Sequence, residues 1–308
     1  MKTYLLIITL LLAACGPTAP PGGEDSSRAS FEMTGKLESR KLDEASGLQA
    51  GNNGVFFVHN DDGARLFAID ATGRDLGEMK VRGAGNKDWE DITRVMGDEG
   101  PLLVIADTGD NLNSRKKTSL YFIPEPPAGD YDSDLKVHHK VDVHYPDGPR
   151  DVEAVAYDSS SDMILFLSKR DKPPRLYGIP LDLALWEEDV EAVFLAEVPG
   201  FRPPTRMEIL KNPKRGMWIS QPTGMDISAD GRTAAVLTYR SLYFFRRVDN
   251  ETWGEAFQRV PEEHIGPPGY QDEAVTFGPE PGSVVVTTEG RPAPVYRLDY
   301  LETVPPEL

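Results

Sequence analysis

An all-β fold built from a repeated sheet is what this 308-residue sequence predicts, and three observations predict it. After residue 30 no segment sustains an apolar period near 3.6, whereas short β-branched and aromatic runs recur between clusters of Gly, Asp, Asn and Pro. With 28 glycines and 26 prolines, the composition suits many short strands and turns. Finally, one pattern appears five times: an oxygen-bearing residue, then a small or acidic one, then an apolar one. The copies are Ser46-Gly47-Leu48, Glu90-Asp91-Ile92, Glu153-Ala154-Val155, Thr223-Gly224-Met225 and Glu273-Ala274-Val275.

Each copy opens a first strand, and each is followed by a turn and a second strand, predicted at 55–58, 102–106, 163–167, 233–237 and 283–287. A third strand carries an aromatic residue: Phe67, Tyr121 with Phe122, Tyr177, Tyr243 with Phe244, and Tyr296. Fourth strands follow at 77–81, 136–145, 192–198 and 256–260. The fifth repeat runs out of chain. Residues 31–38 precede the first repeat with no other partner, and they supply its missing outer strand, which removes an open sheet edge. Four-stranded sheets in five copies around an axis make a five-bladed β-propeller, a single domain over residues 31–308 whose last blade is closed by the N-terminal strand. A β-sandwich would leave the five-fold pattern without a reason.

Ahead of the propeller, Lys2 and the apolar run 4–12 form a short secretory leader that ends in Leu12-Ala13-Ala14-Cys15. This string resembles the lipobox of bacterial lipoproteins, which implies removal of residues 1–14 and acylation of Cys15. Gly16 in place of an aspartate fits sorting to the outer membrane. Residues 15–30 then read as a Pro-, Gly- and Ser-containing tether. The expected location is the bacterial cell envelope, lipid-anchored on its periplasmic or surface side, with the membrane a partner through Cys15 and the propeller a monomer. Cys15 is also the sole cysteine, so neither an intramolecular disulfide nor a cysteine-built zinc site can form.

In a propeller the first strand of each blade lines the axis, so Ser46, Glu90, Glu153, Thr223 and Glu273 are expected to form a ring. Three converging carboxylates repel one another unless a cation lies between them. A donor set of oxygens alone, with no histidine or sulfur, favours Ca²⁺. A polar channel without a metal is the alternative. The ring is similar to the Ser, Glu, Glu, Ser, Glu calcium site of the calcium-activated nucleotidases (apyrases), five-bladed propellers, with Thr223 in the fourth place. That resemblance implies calcium at Ser46, Glu90, Glu153, Thr223 and Glu273 and, less directly, nucleotide hydrolysis. Three longer phrases, Asp88-Trp89-Glu90-Asp91-Ile92, Ala106-Asp107-Thr108-Gly109-Asp110-Asn111 and Thr223-Gly224-Met225-Asp226-Ile227-Ser228, resemble uncharacterised bacterial secreted propellers, which carry no known activity.

The formal charge of -17 argues against a duplex nucleic-acid partner. Yet the loops predicted on the entrance side of the ring are net basic, and those on the opposite side are strongly acidic. Lys169, Arg170, Arg175, Arg202, Arg206, Arg240 and Arg291 are therefore candidate ligands for an anionic small molecule or protein partner, and the long insertion 199–222 is a candidate lid. Asp61, Asp107 and Glu289 end second strands near the entrance and are candidates to orient or deprotonate water, although Asp61 and Asp107 also sit in good turn sequences. The chain has no G-x-S-x-G, G-x-x-x-x-G-K, G-x-G-x-x-G or H-E-x-x-H, and its five histidines lack metal-ligand spacing. Two functions stay open: a calcium-dependent hydrolase of a phosphorylated small molecule, or a non-enzymatic binding or scaffold lipoprotein with structural calcium.

Overall fold

The segments that carry the repeated pattern are buried along nearly their whole length, because in the computed structural model all five stand side by side around one axis. The structure describes residues 30–267 and 272–300. The leader, Cys15 and the tether to residue 29 lie outside the described residues.

The innermost strands are Ala45–Ala50, Asp91–Gly97, Val152–Asp158, Pro222–Ile227 and Asp272–Phe277. Each pairs antiparallel with the second strand of its own blade: Phe56–Asn60, Gly100–Asp107, Met163–Ser168, Thr233–Thr238 and Ser283–Thr288 respectively. Third strands follow at Arg65–Ile69, Thr118–Pro124, Arg175–Pro180, Ser241–Arg246 and Pro294–Asp299. The outer strand of blade 5 is Glu32–Lys36, antiparallel to Pro294–Asp299, so the first strand of the chain closes the last blade and the fold is a five-bladed β-propeller.

Two outer strands differ from expectation. Residues 256–260 are not the fourth strand of blade 4, which is Glu262–Ile265. Thr252 and Glu255 form a capping box that starts a helix at Trp253–Ala256, and Trp253, Ala256 and Phe257 bury their side chains between blades 3 and 4. The strand expected at 136–145 is two: Leu135–Lys136 lies parallel to the edge of blade 1, and His139–His144 is the outer strand of blade 2. Asp189–Glu191 then adds parallel to His139–His144, so these edges are covered by local chain crossings that no periodicity signals. Helices Leu181–Trp186 and Arg206–Lys211 are likewise too short to display a period of 3.6.

The core is divided into five wedges, one between each pair of neighbouring blades. Phe122, Phe166 and Tyr177 fill the wedge between blades 2 and 3, and Phe244 with Val286 the one between blades 4 and 5. Hydrogen bonds across the axis join the wedges. The fully buried Asp91 carboxylate accepts from the amides of Val155 in blade 3 (2.8 Å) and Met225 in blade 4 (3.1 Å), and from that of Ile92. Asp226 accepts from the Phe277 amide (2.8 Å) and the Thr276 hydroxyl (2.8 Å), while Thr276 Oγ1 accepts from the Ala50 amide (3.1 Å). Thr93 Oγ1 accepts from the Tyr157 amide (3.0 Å). Every blade is thereby tied to a neighbour by an inner-strand amide that its own sheet leaves unpaired.

Asp91→Ala strands three buried amides at once, and we expect it to lower unfolding free energy by about 3–5 kcal/mol, read as a reduced urea midpoint. Asp91→Asn keeps one acceptor oxygen and should lose less.

Candidate functional site

Four of the five inner strands begin with a register shift, and the residue it leaves unpaired is the ring residue. Ala45 faces Asn60 and Gly47 faces His59, which leaves Ser46 over; Glu153, Thr223 and Glu273 are left over in the same way. In blade 2 Glu90 and Asp91 both stand opposite Ala106, whose carbonyl accepts from the Glu90 amide at 2.9 Å. A bulge of this kind turns one side chain out of the sheet's alternation and re-aims it, here toward the axis.

Above the bulges lies a cavity of about 240 Å³ lined by Asp61, Asp88, Glu90, Glu153, Glu273, Glu289, Lys169, Arg170 and Arg215, with Asn111, Trp218 and Tyr239. It brings together the three glutamates of the predicted ring, two of the three candidate acid-base residues and two of the candidate cations. Ser46 and Thr223 do not line it. Their hydroxyls donate to the backbone carbonyls of Glu90 (3.1 Å) and Asp272 (2.8 Å), tying blade 1 to blade 2 and blade 4 to blade 5.

Lys169 is not on the rim. It is buried at the axis, ion-paired with Glu153, and donates to the Tyr239 hydroxyl at 2.8 Å. Burial alone would lower its pKa, but Glu153, Tyr239, Glu273 and Glu90 together hold the ammonium above the usual lysine range. One ammonium does not balance the acids around it. Burial pushes Glu153 up to about 8 despite Lys169, and Glu273 also to about 8, with Glu289 beside it adding to the shift. Burial, reinforced by the charge of Glu153, holds Glu90 well above the ordinary carboxylate range. At the mouth, burial and the neighbouring Glu44 raise Asp61 to about 7, and burial raises Glu289.

Two acidic clusters among the described residues could hold a metal ion: Glu90, Asp151 and Glu153, all buried, with oxygens within 4.8 Å of one another, and Glu44, Asp61 and Asp62 nearer the surface. Asp151 is an addition to the predicted ring. It accepts from the Asp110 amide (2.7 Å) and pairs with Arg170 Nε (2.5 Å), so the Thr108-Gly109-Asp110-Asn111 turn of blade 2 is braced against the first strand of blade 3. Gly109 gives these carboxylates their room in that turn: a Cβ there would stand 2.1 Å from Glu90 Oε1 and 2.4 Å from Asp88 Oδ2, and both side chains would have to move.

The remaining candidates lie elsewhere. Asp107 is buried in a pair with Arg115 (2.8 Å) and shapes the turn rather than facing the cavity. Arg240 is buried against Glu208 (3.2 Å), Arg202 binds Glu263 (3.0 Å), Arg175 pairs with Asp147, and Arg291 pairs with Asp43. Arg206 is exposed on its helix, outside the cavity lining. Summed loop charge cannot see such pairings. The cavity wall carries six carboxylates and three cations, so it is acidic where the loop sum suggested a basic rim. Asp88, Asn111, Arg215, Trp218 and Tyr239 complete the wall without having been singled out, although Asp88 and Asn111 sit in two of the longer phrases and Trp218 in the insertion. Trp218 lies 4.9 Å from the Arg170 guanidinium and 5.1 Å from the Lys172 ammonium, a cation-π cluster that seats the insertion over the mouth.

No protein-family model matches the chain, and no curated protein matches it in sequence. Among solved structures, glutaminyl cyclase of Myxococcus xanthus is similar over 88% of this chain and 97% of its own, at 11% identity and a TM-score of 0.51. A gluconolactonase from Xanthomonas campestris is similar over 88% of this chain and 89% of its own at 10% identity and a TM-score of 0.47. A luciferin-regenerating enzyme covers 89% and 96% at 10% identity and a TM-score of 0.47. The likeness is one of fold.

The raised carboxylates give a signed pH dependence. A carboxyl whose folded pKa lies above its unfolded value adds stability below the unfolded value and loses it as pH rises through the folded one. With chelator present, melting temperature should therefore fall between pH 4.5 and about 8 through Glu153 and Glu273, while Lys169, shifted upward, stays charged throughout. A flat profile over that window would contradict the burial of these acids.

Proposed function

We propose that the axial cavity is a divalent-cation site, that calcium is the ion its donors suit, and that the chain uses it to hydrolyse a small phosphorylated molecule. One observation carries the reading: Glu90, Asp151, Glu153 and Glu273 are buried together against a single interior ammonium. An all-oxygen, anionic donor set with no nitrogen or sulfur fits a hard cation. Glu90 and Glu153 would hold it, with Asp151 behind them and Glu273 across the axis. When bound, such an ion supplies Lewis-acid polarisation of a phosphoryl oxygen. Around it, Arg170 and Arg215 offer charge-assisted hydrogen bonds to the other oxygens of an anionic group, and Trp218 lines the same wall. Asp61, with its pKa near 7, would take or return a proton close to neutral pH, and Glu289, raised by burial, lines the same wall. The resemblance of Glu90, Glu153 and Glu273 to the glutamates of the calcium-activated nucleotidases supports the same reading, with Ser46 and Thr223 turned instead to backbone carbonyls.

The Lys169–Glu153 pair favours a second reading, a non-enzymatic binding propeller whose interior acids are partly neutralised by its own lysine. Calorimetry of calcium chloride against the full chain, followed by phosphate release from mixed nucleotides and sugar phosphates, separates the two. Binding that Glu153→Gln abolishes, together with calcium-dependent release of phosphate, supports the hydrolase. Binding without release selects the binding propeller, and no binding at millimolar calcium removes the metal site.

We propose further that the chain is a monomer anchored in the bacterial cell envelope by lipid on Cys15. Palmitate labelling in a Gram-negative host should mark the protein and be lost in Cys15→Ser; equal labelling of the variant would refute the anchor.

A further inference from the structure

The insertion between blades 3 and 4 has an outer face that the cavity does not use. Helix Arg206–Lys211 leaves Met207 60% and Leu210 62% exposed, three residues apart and hence on one side. The chain then folds back so tightly that a Cβ on Gly216 would stand 2.6 Å from Ile209 Cα, which sets the 49%-exposed Met217 beside them. Arg206, Lys211 and Lys214 are exposed around these apolar side chains, and none makes an ion pair among the described residues. The only acid between residues 203 and 219 is Glu208, and it is turned inward to Arg240. A chain of formal charge -17 thus has an outward surface that is apolar and purely cationic, at the mouth of the axial cavity.

We propose that this face docks on an anionic phospholipid surface, with Met207, Leu210 and Met217 entering the headgroup boundary and Arg206, Lys211 and Lys214 meeting the phosphates. Charge complementarity selects the occupant. An anionic surface repels the rest of the molecule and admits it in the one orientation that brings this face forward, and flexible thioether and leucine side chains on a short amphipathic turn suit a fluid interface rather than a shaped groove. The mouth of the cavity then opens toward the bilayer.

The test uses the full chain carrying Cys15→Ser, which frees it of its sole thiol, with an environment-sensitive fluorophore on Leu210→Cys. Met96→Cys, 60% exposed at the opposite end of an inner strand, carries the same label as a control. We expect emission from position 210 to rise about twofold on phosphatidylglycerol-containing vesicles, to revert in high salt, and to be lost in Lys211→Glu/Lys214→Glu, while position 96 stays silent. The proposal is overturned by no response, by an equal response on neutral phosphatidylcholine, or by an equal response at position 96. A rise that survives the charge reversal would assign binding to the apolar leader and overturn it as well. So would a rise with protein concentration in the absence of vesicles, which would assign the face to a second copy of the chain.

Discussion

Each blade of this propeller brings an open sheet edge to the axis, and an open edge carries amides that no strand pairs. The five edges belong to separate sheets and do not pair with one another as strands. Side chains do it instead: Asp91 for blades 3 and 4, Asp226 for blade 5, Thr276 for blade 1 and Thr93 for blade 3 again. These bonds hold the inner strands at a fixed radius. The apolar wedges between blades supply most of the burial, but they do not determine how far apart the inner strands stand.

The chemistry of the site follows from that fixed radius. The bulge at the head of four inner strands, with Glu90 just ahead of the strand in blade 2, sets one residue aside at the same level of each blade, and in three blades that residue is a glutamate. Buried together, they lose solvation and repel one another, and are driven toward their neutral forms. Lys169 relieves part of this from within blade 3, and Arg170, the next residue, pairs with Asp151 at the entrance. The site therefore gathers more carboxyl groups than its own cations can keep ionised, a set of oxygens that could hold a metal ion.

Above this site the insertion 199–222 works as a fixed roof. Its inner side is fastened by Arg240 to Glu208, by Arg202 to Glu263 and by the stacking of Arg170 and Lys172 on Trp218. Arg202 and Arg240, which looked available for ligand, are consumed in this fastening, whereas Arg215 lines the cavity and Arg206, Lys211 and Lys214 are exposed on the outer side. One segment thus divides its cations between a structural interior and an exposed exterior.

Much of the architecture could be read from the chain. The five-fold pattern located every inner strand, because a bulge needs the same local composition each time: an oxygen-bearing residue to re-aim, then a residue that tolerates close packing, such as Gly47 or Gly224, and an apolar residue to re-enter the wedge. The three glutamates of the cavity were legible for the same reason. What the chain alone did not determine was partnership. Whether Lys169 reaches outward or inward, whether Arg240 meets a ligand or Glu208, and whether Asp107 faces water or Arg115 depend on which residues the ring closure sets opposite each other. Residues 136–145 and 256–260 went astray on the same ground, since a parallel edge crossing and a single capped turn are decided by neighbours rather than by periodicity. Local backbone preference is written residue by residue along the chain, whereas the pairing of charges depends on distances that exist only once the first strand has closed the last blade.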